Sequence, residues 1–598
     1  MSTLFQDELN YLREVGREFA KLNPKLSKYL SDTASDPDVE RLLEGFAFLT
    51  SKVREKIEDE LPELTHSMME LLWPNFLRPF PSASMVRFTP NDRAITERKV
   101  IAAGTALRSR PIEGISCQFR TTADCIVYPL GLAEPRMERT RDRARLSLTF
   151  TTLSGQPANA IGLDTLRLTF TGDSAVAQTL YLWTRRYIRS ARIVPAGKEN
   201  GLSLSHDAFQ PGGFGPEEAI LPHSVLAFDG HRLLQEFFAF PEKFYCIDVH
   251  GLQATLRDVR EAEFTLEIEY ERPLPPDVKL RPDNIRLYCV PAINLFARDA
   301  EPFINRHEKL SYRVRPRGPG PDERLSSGDP RTSACEIFSI DCVSSEQRGG
   351  TRESHGRQQV YRRFESFEHE IEQAGQHKQL YFRQRIMPLL RGGYQFEISF
   401  VRHDGSKALP PDEAVSIELT CFNGPLASEL AVDDISFGLQ DVPSFVSATN
   451  VTRPTPVVYP PLDGSLNWAM ISNLSLNYMS LLDRKALAAI LAVYDHRALN
   501  DRQAERAGQQ RLEGIVGLDT RPYDRLFKGL PIRGLRSRMV LREASFQTEG
   551  EMYLFGSVLS EFFSLYSTVN SFHVLEVRGE QRGEVYRWPI KIGRQPLI

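Results

Sequence analysis

His66 and Glu70 stand four residues apart in the stretch HSMME (66–70). That spacing sets two side chains on one face of a helix, where both could reach a single cation. A zinc-hydrolase helix requires a second histidine in the motif, and this stretch has none, so no metal ligand is assigned. Glu267 and Glu269, in EFTLEIEYE (263–271), fall on one face of a strand. Paired carboxylates are the apparatus of glycoside hydrolysis, but they must share a cleft. A chain with 78 acidic residues supplies such pairs by composition alone. The glycine-rich stretches GGFGP (212–216) and RGPGP (317–321) do not continue into a phosphate-binding fingerprint and read as turns. G-x-S-x-G, G-x-x-x-x-G-K-[ST] and H-E-x-x-H are all missing. Seven cysteines, at 117, 125, 246, 289, 335, 342 and 421, make no C-x-x-C pair. They read as buried free thiols, neither a disulfide framework nor a zinc site. No catalytic residue, cofactor or metal is therefore assigned. A hydrolase, such as a carbohydrate-active enzyme with β-sandwich domains and a dispersed acid pair, stays open as the alternative.

The elements that would have to position any such groups differ along the chain. Residues 1–80 read as helices. Thr3 and Gln6 have capping-box spacing, and Pro24 ends the first helix. The second begins with Asp36 as N-cap and Pro37 at the first helical position, where the missing N–H costs nothing. Val39, Leu42, Leu43, Phe46, Leu49, Val53, Ile57 and Leu61 then recur at helical spacing. Burying eight such side chains is worth about 10–20 kcal/mol gross, more apolar surface than three short helices cover. A third helix runs over 62–73 to Trp73-Pro74.

Strict alternation follows at 143–150, 165–170, 263–271, 395–401 and 415–422, the mark of half-buried antiparallel strands. Two polar stretches, 315–330 and 344–359, read as mobile loops. The prolines of TRPTPVVYPPLDG (452–464) read as an extended connector. Helices are expected at 483–494 and 552–569, and strands at 572–577 and 585–592. The fold class is α+β, with four segments. Residues 1–80 are helical, 81–280 and 281–445 are β-rich and sandwich-like, and 446–598 mix α and β.

Lys and Arg total 74 against 78 Asp and Glu, a net charge of −4, which offers no case for nucleic acid. The most basic run, LWTRRYIRSARI (182–193), reads as a solvated face or as inter-strand pairs. The opening MSTLFQDELNYL carries neither a basic nor an apolar region of an export signal. The longest apolar run, ALAAILAVY (486–494), is far short of the ~20 residues that cross a bilayer. A cytoplasmic protein without membrane insertion is expected.

Several long stretches resemble one family. DPDVERLLEGFAFLTSKVREKIEDELPELTHSMMELLWPNFLRPFPS (36–82) is similar to the N-terminal signature of the TssF (VasA or ImpG) family of type VI secretion baseplate components. VPAINLFARDAEPF (290–303) resembles its mid-chain motif. SATNVTRPTPVVYPPLDGSLNWAMISNLSLNYMSL (447–481) and YLFGSVLSEFFSLYSTVNSFHVLEV (553–577) resemble its C-terminal blocks. The resemblance implies a structural protein and not an enzyme, similar to the wedge proteins of contractile phage baseplates. It implies that two copies join one TssG, that TssK and TssE associate with them, and that six wedges surround the VgrG hub and support the tube and sheath. It also implies recruitment to the cytoplasmic face of the inner membrane of a Gram-negative bacterium, with docking through partners. On this pattern residues 3–73 belong to a helical bundle shared between chains. The candidate contact residues are then Leu42, Leu43, Phe46, Phe48, Leu49, Trp73, Trp468, Phe562, Phe563 and Trp588.

Overall fold

The computed structural model describes residues 9, 11–13, 15, 37–58, 65–66, 68–70, 73–91, 94–222, 229–305, 309, 311–318, 335–347, 358–364, 381–389, 392–401, 413–438, 442–462, 464–475, 483–527, 530–565, 567 and 571–593. Its longer helices, in chain order, are α1 (Pro37–Glu58), α2 (Ser174–Arg186), α3 (Asp229–Ala239), α4 (Gly464–Ser475), α5 (Arg484–Tyr494), α6 (Arg502–Glu513) and α7 (Glu549–Leu565). Two compact units divide the chain: Met1–Met69 with Leu462–Ser472, and Glu70–Pro461 with Asn473–Ile598.

The first unit is helical where it is described. Helix α1 starts at Pro37, as proline at a first helical position dictates. Helical residues at 9, 11–13 and 15, and again at 65–66 and 68–70, fall within the first and third expected helices. Most of α4, which the sequence pattern does not announce, belongs to this unit. The expected boundary after residue 80 therefore moves to 69, and the fourth expected segment contributes a stretch to the first unit.

The second unit holds the sheets. One six-stranded antiparallel sheet has the order Phe437–Gly438, Ala106–Ile112, Ile115–Thr121, Cys289–Ile293, Ala83–Pro90, Val446–Asn450. It takes strands from three of the four segments expected from sequence, so neither the 280/281 nor the 445/446 boundary separates domains. Backbone pairing between strands distant in sequence overrides the change in local texture. A second sheet centres on Glu263–Tyr270 between Ile188–Pro195 and Ala144–Thr152, and a third on Cys246–Val249 beside Leu166–Phe170. An eight-stranded sheet draws all its strands from residues 296–422, including Tyr394–Val401 and Glu413–Phe422. Each alternating stretch read from the sequence thus becomes a strand. Of the two polar stretches, 319–330 and 348–357 lie outside the described residues, while 344–347 and 358–359 belong to paired strands instead of loops.

The proline-rich stretch is no free connector. Val451 and Thr455 donate backbone N–H groups to Met85 and Ala83, and Val458 exchanges backbone bonds with Phe80 at 3.0 and 2.8 Å. The Thr452 hydroxyl accepts from the Met85 N–H. These bonds fasten the segment alongside the strand Ala83–Pro90.

Three helices form the apolar centre of this unit. Helix α7 packs on α2, α3 and the strand Phe572–Gly579, and residues 552–560 are buried without a break. On α3, the buried Glu236 carboxylate accepts from Arg232 Nη1 at 3.1 Å, from Lys243 Nζ and from the Ile220 N–H at 2.8 Å. Arg232 and Lys243 are buried as well, and burial lowers the lysine pKa against the pull of Glu236. Trp73 lies in this interior too, its ring 5.2 Å from His231 and 5.6 Å from Tyr494.

Candidate interaction surface

Helix α1 carries its apolar residues on more than one side. Leu42, Phe46 and Leu49, spaced i, i+4, i+7, make one stripe, and they are 74, 60 and 62% exposed. Phe48, on another side, is 53% exposed. The buried line runs instead through Ala47 and Ser51, with Leu43 and Thr50 half-buried beside it. Over residues 41–51 the helix thus buries Ala47 and Ser51 and exposes Leu42, Phe46, Phe48 and Leu49. Exposed apolar side chains scattered singly are ordinary, whereas a contiguous row on one helix marks an interaction surface. In the same unit Trp468 on α4 is 41% exposed, while its neighbour Asn467 is buried with neither amide atom bonded among the described residues.

The other candidate contact residues sit elsewhere, and for these the expectation is corrected. Phe562 and Phe563 are fully buried on α7, and Phe563 packs 5.1 Å from the ring of His573. Trp588 stacks on Tyr553 at 5.2 Å and donates its indole N–H to the Ser557 hydroxyl at 3.0 Å. It reaches α7 because position 556 is glycine: a Cβ there would stand 2.4 Å from the tryptophan ring. Trp73 opens the turn Pro74–Phe76, and with Phe76, Leu77 and Phe80 it lies in the core of the second unit. Asn75 fixes the turn by donating to the Pro222 carbonyl at 2.9 Å and accepting at its own carbonyl from Gln235. The wide apolar band of α7 is consumed by the chain's own helices and sheet. Only the N-terminal helix keeps its excess.

The acid pairs are engaged in structural contacts. Glu267 pairs with Arg192 at 2.7 Å, and Glu269 with Arg143 at 3.2 Å, each across neighbouring strands. A cavity of about 500 Å³ in the second unit is lined by Asp124, Arg167, Glu217, Glu218, Asp248 and Tyr288 among others. There Arg167 holds Asp248 through two bonds of 2.7 and 2.6 Å and Glu218 at 2.6 Å. Glu218 Oε2 also accepts from the backbone N–H of Gly213 and Gly215, which makes the GGFGP stretch a braced turn. Glu70 of HSMME pairs with Arg363 at 2.9 Å. Among the described residues no group of three or more His, Cys, Asp or Glu is placed to hold a metal ion.

One carboxyl pair was not legible in the sequence. Glu549 and Glu584 meet at the hydroxyls of Tyr187 and Tyr586. Tyr187 Oη lies 3.0 Å from Glu549 Oε1 and 2.9 Å from Glu584 Oε2, and Tyr586 bonds both carboxyls as well. Burial lifts the Glu549 pKa, opposed by the Tyr586 hydrogen bond and reinforced by Glu584. Burial pushes Glu584 the same way, but the bonds from Arg272, Glu549, Tyr187 and Tyr586 prevail and hold it at about 2. These bonds clamp the start of α7 to residue 187, nearly four hundred positions away in sequence from its Tyr586 partner. No local motif signals groups so far apart.

Comparison with known proteins now bears on these surfaces. The family model for type VI secretion system TssF matches residues 1–595. The chain belongs to the TssF family. It is 28% identical to the type VI secretion system component TssF1 of Pseudomonas aeruginosa over a 643-residue alignment that covers 99% of each. A chain of the TssK-TssF-TssG baseplate subcomplex, solved by cryo-electron microscopy, superposes with a TM-score of 0.74 at 29% identity, covering 92% of this chain and 98% of that one. A chain of the type VI secretion baseplate complex matches with a TM-score of 0.64 at 27% identity, with 99% of both covered. As a TssF-family member the chain is a structural subunit of the type VI secretion baseplate.

Proposed function

We propose that the chain builds a baseplate wedge with TssG and TssK, and that it joins them through α1. The observation that carries this reading is the row Leu42, Phe46, Leu49, three large apolar side chains each more than half exposed on one face of one helix. Helices of a partner chain complete the bundle over that row. Trp468, exposed in the same unit, is a second contact residue in this reading. The solved relative was determined in a subcomplex named for TssK, TssF and TssG, which supports those two partners. A second copy of the chain, TssE, the VgrG hub and the sheath follow in the same reading from the wedge pattern. The work is mechanical: the wedge supports the tube and sheath and rearranges on firing. The chain is read as non-catalytic, because its candidate acid pairs are engaged by Arg192, Arg143 and Arg167. Among the described residues no helix is long and apolar enough to cross a membrane, and the reading places the chain on the cytoplasmic face of the inner membrane, held there by partners.

Co-expression with the TssG of the same system tests the proposal through Phe46→Asp. In the free chain the aspartate stands in water. In the bundle it is buried without a partner, at a cost of several kcal/mol, and each 1.4 kcal/mol weakens association tenfold. The variant is expected to lose co-purification while its own thermal midpoint stays at the parent value. Co-purification at the parent level would sink the proposal.

A further inference from the structure

The second unit presents a surface unrelated to α1. The strands Ile515–Phe527 and Leu530–Leu541 form a hairpin of 13 and 12 residues, about twice the usual strand length. One face is covered near the sheet centre, where Ser537, Met539 and Leu541 are buried, and on the other face Gly534 lies against the buried Phe572 ring. The pairing puts Asp519 opposite Arg538, Arg521 opposite Arg536 and Arg525 opposite Ile532 on the other face. The next strands continue that face with Glu576 beside Arg538, Arg578 two residues further, and Arg587 beside Glu576. Six guanidinium groups, from Arg521, Arg525, Arg536, Arg538, Arg578 and Arg587, therefore share that other face with the carboxylates of Asp519 and Glu576, in a chain whose net charge is −4.

Their internal pairing does not balance the charge. Asp519 takes Arg521 at 3.0 Å, and Glu576 is shared by Arg587 at 3.3 Å and Arg538 at 3.9 Å. Arg536 lies on the Tyr523 ring at 3.8 Å. Neither Arg525 nor Arg578 has an ion pair among the described residues. Like charges directly opposite each other destabilise a sheet, so the Arg521–Arg536 pairing is unfavourable for this chain alone. The strand that carries Asp519, Arg521 and Arg525 is also the edge of the sheet: among the described residues no strand pairs with its outer side, although helices α5 and α6 touch it.

We infer that this hairpin edge receives an extended acidic protein segment, added as a further strand with carboxylates at alternate positions over the arginines. Main-chain bonds to the edge give affinity in such additions, and side chains at alternate positions give specificity. Guanidinium forks match carboxylates in two-bond geometry. Nucleic acid fits the surface less well. The Tyr523 face that a base would stack on is covered by Arg536.

The full-length chain is titrated at low salt with a fluorescent twelve-residue peptide of alternating Glu and Thr. Controls are the same peptide with Gln for Glu, one N-methylated at alternate backbone positions, a twelve-nucleotide single-stranded DNA, and phosphatidylserine vesicles. The Glu peptide is expected to bind. Affinity should fall at least tenfold for the Gln peptide, for the N-methylated peptide and for the variant R521E/R525E, whose thermal midpoint matches the parent because both side chains are exposed. The inference is overturned by no binding of the Glu peptide, by equal binding of either control peptide, by indifference to the variant, or by tighter binding of the DNA or the vesicles.

Discussion

Replacing Glu236 with glutamine probes the most charged point of the interior. The carboxylate offsets two buried cations, Arg232 and Lys243, and accepts the Ile220 N–H. Glutamine keeps the shape and one acceptor oxygen but leaves both cations uncompensated. Removing one partner of a buried ion pair costs about 3–5 kcal/mol. For a large domain each kcal/mol lowers the thermal midpoint by about 2 °C, so a fall of about 6–10 °C is expected by near-ultraviolet circular dichroism. Lys243 gives the change a pH signature. Its folded pKa is lowered by burial, so the unfolded chain binds more protons and stability rises with pH through the window below the ordinary lysine value. Without Glu236 that window extends further down, and the variant should regain stability as pH rises, more steeply than the parent. Replacing Arg232, Glu236 and Lys243 together by Met, Leu and Met removes the charges with the carboxylate and is expected to recover most of the loss. A Glu236→Gln midpoint within about 2 °C of the parent, with no added pH slope, would falsify the view that this triad is a net-charged, desolvated unit.

Glu549 in the clamp has the opposite pH sense to Lys243. Glu549 has a raised folded pKa, so its contribution is present below the ordinary carboxylate value and is lost as pH climbs through the raised one. Amide exchange at the start of α7 should quicken over that rise, and Glu549→Gln should flatten the dependence; an unchanged profile would contradict a role for protonated Glu549 in the clamp. Phe563→Ala, which empties a fully buried site on α7, should cost about 3–5 kcal/mol. Phe46→Ala, at an exposed site on α1, should change stability by no more than about 0.5 kcal/mol. Thermal midpoints of the two variants measure the contrast, and equal shifts would refute the assignment of one to the core and the other to the surface.

Strand positions were legible because burial on one face writes a period of two into the residues themselves. The stretch 263–271 becomes Glu263–Tyr270 with buried residues at every second place. Domain boundaries were not legible, because a sheet recruits strands by backbone pairing. Ala83–Pro90 lies between Cys289–Ile293 and Val446–Asn450, and nothing local to any of the three names the other two. The same limit hid the clamp, whose tyrosines and glutamates come from residues 187, 549, 584 and 586.

The two apolar helices show where sequence periodicity stops. Both α1 and α7 carry more apolar surface than one face needs, and the width of the stripe says only that cover exists on several sides. What supplies it depends on the rest of the chain. For α7 the cover is internal: α2 and α3, a strand, and Trp588 admitted by the missing side chain of Gly556. Over residues 41–51 of α1 the buried positions are the small and polar Ala47 and Ser51, while Leu42, Phe46, Phe48 and Leu49 stay open. Had the chain's own core been the target, the large side chains would occupy the buried line, because each is worth about 1.5–3 kcal/mol when covered and alanine far less. Their placement on the outer stripe stabilises nothing in the isolated chain. In the proposed wedge it acquires a value, because there another helix lies over it.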